Sequence, residues 1–169
     1  VLTNKPLMMI FILQLFAMTA MFGRIGTLVY YVMYNIKRFD LIAAFMTLPS
    51  IGAIIGILVT KNFVTRVGKK KMCAIGYIGS GVALMAMFVV GQTGGYGNVV
   101  LLLILDFVFG LFNFALPIPM AMTTDASNFG EDKFGIRSDG TSFAAISLSQ
   151  KLGSAFGASV GVAVLGFTG

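Results

Sequence analysis

The sequence predicts an all-α polytopic membrane protein with five transmembrane helices, on three observations. Hydrophobic residues make up 57% of the chain and charged residues 11%, with a mean hydropathy of +0.93, whereas a soluble domain is roughly a quarter charged. The apolar residues fall in runs long enough to cross about 30 Å of hydrocarbon, separated by short polar segments. The basic excess is local: of twelve Lys and Arg, five lie between Lys61 and Lys71 beside a span, a pattern that sets orientation in a bilayer and does not point to nucleic acid. Cys73 is the single cysteine, so no disulfide framework exists, and the chain has no histidine, the commonest metal ligand and general base. Neither a metal site nor an enzymatic activity is expected. The chain opens on Val1, and its first apolar run is too long for a signal-peptide core. It is expected to be a piece of a longer polypeptide.

Pro6 opens the first span, 6–34, in the favoured first-turn position. At 1.5 Å per residue that span measures about 43 Å, so it tilts or emerges into water. Steps of 100° place Arg24, Thr27 and Tyr31 on one face, and Arg24 has two readings, a cavity-lining cation or one that snorkels to headgroups. Tyr30, Tyr31 and Tyr34 suit an interfacial aromatic belt. A polar turn at 35–40 leads to the second span, 41–60, where Gly52 and Gly56 are spaced for close helix contact. A basic loop, 61–71, precedes the third span, 72–90, which ends in an uncharged glycine-rich loop.

The fourth span, 98–122, sets Asp106, Gly110, Asn113 and Pro117 at i, i+4, i+7 and i+11. That line puts a carboxylate, a gap, an amide and a helix break on one face, which suits a binding cavity. The blander alternative is a carboxylate near the loop and prolines at a fraying end. A charged loop, 123–139, leads to the fifth span, 140–168, where Gly153, Gly157 and Gly161 make a packing edge. Lys151 lies about 200° around the helix from Gly153, with Ser147 and Ser154 beside it, and is too deep to snorkel easily. Eight Lys and Arg flank the spans on the side of 61–71 and 123–139, against Lys37 and Arg38 on the other. The first side is therefore expected in the cytoplasm.

The run Asp125-Ala-Ser-Asn-Phe-Gly130-Glu131-Asp-Lys133-Phe-Gly135-Ile-Arg137-Ser-Asp139-Gly140, followed by Gln150-Lys151-Leu152-Gly153, resembles the loop between helices ten and eleven of the glycoside-pentoside-hexuronide:cation symporters and the helix after it. That is the melibiose permease family of the major facilitator superfamily. Tyr31 and Tyr34, and the loop residues Arg66, Gly68, Lys69 and Lys70, are similar to it as well. Asn128 stands where the family often has an acidic residue, and Thr65 where the superfamily loop usually has Asp. The resemblance implies helices seven to eleven of twelve, most of a C-terminal half-bundle, in the cell (inner or plasma) membrane.

It also implies secondary active transport of a sugar or glycoside coupled to Na⁺ or H⁺ by alternating access. Lys151 would be a residue of the central cavity, and Asp125, Gly130, Glu131, Lys133 and Arg137, with Arg66, Gly68 and Lys69, the loop motifs. The coupling cation belongs to the family's first half, and no cofactor is expected. Arg24, Tyr31, Asp106 and Asn113 are cavity candidates from periodicity. The expected partners are a small-molecule sugar, the cation, the lipid bilayer and an N-terminal half of the same polypeptide, with no nucleic acid. The alternative is a non-transporting membrane scaffold or assembly subunit, which explains the glycines but leaves Lys151 without a role.

Overall fold

The computed structural model describes residues 4–93, 98–135 and 139–168, which are almost wholly helical and contain no strand. α1 runs Lys5–Tyr30 and continues as a π-helical stretch, Tyr31–Ile36. A 3-10 turn, Phe39–Leu41, leads into α2, Ile42–Val67. α3 spans Lys69–Gln92 and α4 Val99–Phe112, followed by a 3-10 turn, Asn113–Ala115. α5 is Ile118–Phe134 and α6 Asp139–Thr168. Among the described residues, four helical runs are long and apolar enough to cross a membrane: Lys5–Ile36, Phe39–Val67, Lys69–Gln92 and Val99–Lys133. The fifth expected span, α6, is long enough at 30 residues, but glycines, serines and Lys151 dilute its apolar character.

Helix extends into both segments expected as loops. In the basic segment 61–71, α2 continues to Val67 and α3 starts at Lys69, leaving Gly68 as the whole connection. Its φ of 90° and ψ of 146° lie in a region that a Cβ makes costly. In the charged segment 123–139, α5 remains helical to Phe134 and is closed by Gly135 at φ 68°, whose N–H bonds the Glu131 carbonyl at 2.8 Å. Thr123, Ala126, Ser127 and Gly130 are the buried side of that helix, and their i, i+3, i+4, i+7 spacing is the helical signal under the charges.

The chain divides into two compact units, Val1–Thr27 with Pro117–Gly169, and Leu28–Leu116. In the first unit Leu7, Ile10, Ala126 and Ile146 form the apolar core of α1, α5 and α6. Asn4 caps α1 by accepting from the Leu7 N–H at 3.3 Å, and its Nδ2 donates to the Ala126 carbonyl at 2.7 Å. Ser127 donates to Asp139 Oδ1 at 2.5 Å, tying α5 to the start of α6. α6 lies on α1 through its glycines. A Cβ at Gly153 would lie 2.5 Å from the Leu15 carbonyl oxygen, one at Gly157 would overlap the Thr19 carbonyl, and one at Gly161 would sit 3.1 Å from the Gly23 carbonyl. Since 153, 157 and 161 meet 15, 19 and 23 in that order, the two helices run parallel in one constant register.

In the second unit, Leu28, Val32, Ile36, Phe45, Met87 and Leu102 form the core. A Cβ at Gly52 would stand 2.7 Å from the Phe107 carbonyl, one at Gly56 would overlap the Leu111 carbonyl, and one at Gly110 would enter the backbone of Pro49. α2 and α4 therefore touch backbone to backbone, the contact expected of Gly52 and Gly56. Lipid is as apolar as a leucine side chain, so such close van der Waals packing has to hold helices together where hydrophobic burial cannot. At the rim, Arg38 donates from Nε and Nη2 to the two Asp40 carboxylate oxygens at 2.9 and 2.7 Å. That hydrogen bond raises the guanidinium's pKa above its ordinary value.

Candidate functional site

α4 ends before either of its prolines. Pro117 has no N–H for the Asn113 carbonyl and Pro119 none for Ala115, so α-helical bonding fails several residues upstream of each. The Asn113 carbonyl accepts instead from the Leu116 N–H at 3.1 Å, which tightens 113–115 into the 3-10 turn. The break expected at Pro117 thus begins at Asn113, with its half-buried amide at the turn. Asp106, two turns earlier, is 0% exposed. A carboxylate held out of both water and lipid is costly and calls for a dedicated environment. Gly110 on the same line is filled by Pro49 and provides no gap. Tyr31 packs against the core of this unit at the start of the π-helical stretch, a helix type enriched at functional sites.

Lys151 is exposed on α6 while Gly153 and Gly157 are buried against α1, so the packing edge and the lysine occupy different faces. Among the described residues its ammonium has no side-chain partner. Ser154 donates to the Lys151 carbonyl at 2.9 Å and Ser147 to the Phe143 carbonyl at 2.9 Å. Those serines therefore spend their hydroxyl protons on their own helix. Arg24, half-buried on α1, lies in the same unit. In the α1–α6 register Lys151 is level with residue 13, so Arg24 sits about 16 Å further along the axis. The two cations do not share a site within this unit. Thr27, expected to extend the polar stripe of Arg24, turns its methyl to Gly161 and donates its hydroxyl proton to the Gly23 carbonyl at 3.0 Å.

Within the family-like motif, Asp125 is exposed and Glu131 half-buried on α5, and Lys133 lies 5.7 Å over the Phe129 ring. Gly130 leaves room for Asn4, whose Nδ2 would be 2.9 Å from a Cβ there. Arg137 lies outside the described residues. Arg66 is exposed and Lys69 half-buried on either side of Gly68, and Thr65 donates to the Asn62 carbonyl at 3.0 Å. One residue escaped the sequence reading. Gln14 on α1 is 0% exposed, and neither its amide nitrogen nor its oxygen has a hydrogen-bond partner among the described residues. A polar side chain in the middle of an apolar run was the available signal.

Glycine-joined helices of this length, a proline-broken span and ionisable groups at membrane depth define a multi-pass integral membrane protein. A family model described as MFS/sugar transport protein matches residues 1–169, and the chain belongs to that family. These are transporters of the plasma membrane and not enzymes. The chain is 28% identical over 172 residues to a protein named Uncharacterized symporter YjmB of Bacillus subtilis (strain 168), covering 98% of this chain and 36% of that protein. It is 25% identical over 167 residues to the Glucuronide carrier protein homolog of Escherichia coli (strain K12), with the same two coverages, 98% and 36%. The chain therefore spans about a third of the length of the curated relatives it matches. No solved structure matches it.

Proposed function

We propose that this chain is part of a secondary transporter that moves a sugar or glycoside together with Na⁺ or H⁺ by alternating access. The observation that carries this reading is Lys151: an exposed ammonium midway along α6, the expected fifth span, on the face away from its glycine contacts, with no side-chain partner among the described residues. A charge so placed is retained at a cost and is expected to face a hydrated path. A compact ammonium with three donors suits sugar hydroxyls and suits a uronide carboxylate better still. Of the two relatives, one is named a symporter and the other a glucuronide carrier homolog, and the second name supports that substrate class. Asp106 and Asn113, at the broken helix, are the proposed second group of cavity residues, with Tyr31 and Arg24 as further candidates. The site for the coupling cation is proposed to lie in the remainder of the polypeptide.

The test is uptake of radiolabelled glucuronide and of a neutral glycoside by the full-length transporter, with membrane abundance measured in parallel. Lys151→Ala is expected to lower uptake at least tenfold at unchanged abundance, because an exposed side chain contributes little to packing. Lys151→Arg is expected to rescue poorly, since a planar fork does not replace a point charge. Undiminished uptake in Lys151→Ala would refute the reading.

A further inference from the structure

We propose that the elbow between α2 and α3 is a binding site for anionic phospholipid headgroups. At 1.5 Å per residue α2 is about 39 Å long, against about 30 Å of hydrocarbon, so its last turns stand at headgroup level. Lys61 and Arg66 lie on those turns, and Lys69, Lys70 and Lys71 open α3 immediately after Gly68. No acidic residue occurs in the sequence between Asp40 and Asp106. Lys61, Arg66, Lys70 and Lys71 are exposed, and among the described residues none has a hydrogen-bond or ion-pair partner. Thr65, the nearest hydroxyl, already donates to the Asn62 carbonyl. Phe63 and Val67, 53% and 39% exposed, alternate with the cations as apolar contacts for acyl chains.

The placement of the lysines adds a second argument. Three consecutive lysines occupy the first turn of α3, the positive end of the helix dipole, where cations are disfavoured and anions favoured. The N-cap, Gly68, has no side chain with which to offset this. One-residue geometry at Gly68 also holds the two basic helix ends beside each other, where a flexible loop would let them separate. Lys70 and Lys71, exposed and without a partner among the described residues, point to an external anion, and at headgroup level the abundant one is a lipid phosphate. Each Lys or Arg near an anionic surface contributes about 1 kcal/mol, roughly fivefold in affinity.

The experiment uses the full-length transporter in vesicles of phosphatidylcholine alone or mixed with phosphatidylglycerol, and counts the phosphatidylglycerol retained after detergent extraction by native mass spectrometry. Wild type is expected to retain phosphatidylglycerol over phosphatidylcholine, and to lose that preference at high salt. The triple variant Lys61→Gln, Lys70→Gln, Lys71→Gln is expected to retain at least tenfold less, with an unchanged melting curve in phosphatidylcholine. If the triple variant does not insert, Lys70→Gln and Lys71→Gln singly carry the test, each lowering retention about fivefold. Equal retention by wild type and variants overturns the proposal. So does complete displacement of lipid by millimolar inorganic phosphate, which would mark a site for a free anion.

Discussion

A methyl group placed at Gly157 should destabilise the protein and the same group placed at Gly166 should not, although both lie on α6. At Gly157 the new carbon would overlap the Thr19 carbonyl and stand 2.9 Å from the Gly23 nitrogen, and both neighbours are backbone that cannot rotate away. α1 and α6 would have to part by roughly 0.5–1 Å, which forfeits a quarter to a half of each contact's ~0.1–0.2 kcal/mol. Over roughly thirty atom pairs along the three glycine contacts this amounts to about 1–2 kcal/mol, and residual strain brings it to about 2–3 kcal/mol. The gain in helix propensity from Gly to Ala returns at most about 1 kcal/mol. Gly157→Ala should therefore destabilise by about 1–2 kcal/mol, a factor of roughly 5 to 30 in the folded ratio. Gly166 has nothing within 4 Å of its would-be Cβ, so Gly166→Ala should be neutral or slightly stabilising. SDS-titrated unfolding of the full-length protein in mixed micelles reads both. Equal shifts for the two variants, or a neutral Gly157→Ala and a well-folded Gly157→Leu, would show that α6 does not lie on α1 through this edge.

Gly68→Ala should cost about 1–3 kcal/mol in the same titration, because φ 90° with ψ 146° excludes a Cβ; an unchanged midpoint would mean the elbow relaxes freely. Asn62→Cys should resist membrane-impermeant thiol reagents in intact cells, since the basic elbow is expected in the cytoplasm, and buried Cys73 contributes little background. Rapid labelling would reverse the orientation. Gln14→Leu should stabilise the protein by about 1–3 kcal/mol, because it removes an amide buried without partners at nearly constant volume, and should reduce uptake if that amide serves substrate or water in another state. A destabilised Gln14→Leu would instead assign it a structural hydrogen bond.

The glycine spacing was legible because small residues at i and i+4 are a local pattern, and both edges form the contacts they advertise. Their partners were not legible. Gly157 meets Thr19 and Gly23 across more than a hundred residues of chain, and Gly110 is filled by Pro49, which no periodicity within α4 announces. The helical character of 123–134 was masked by its charges, although Thr123, Ala126, Ser127 and Gly130 already carried the period. The Pro117 break was read correctly in kind but placed too late, because the carbonyl a proline deprives lies four residues upstream. Arg24 and Lys151 each looked like a cavity cation, yet only the register of α6 on α1 shows them at different depths.

The one-residue turn at Gly68 bears on motion. A connection of several residues has rotatable bonds to spare and lets one helix tilt while its neighbour stays put. Here the hydrogen bonds run from the Gly68 N–H to Val64 and from the Met72 N–H to Gly68, both near 3 Å, without a free backbone link between them. A change in the tilt of α2 is therefore expected to be passed on to α3. A second interruption lies at the 3-10 turn at 113–115, where two prolines have removed helical bonds that an unbroken helix would keep.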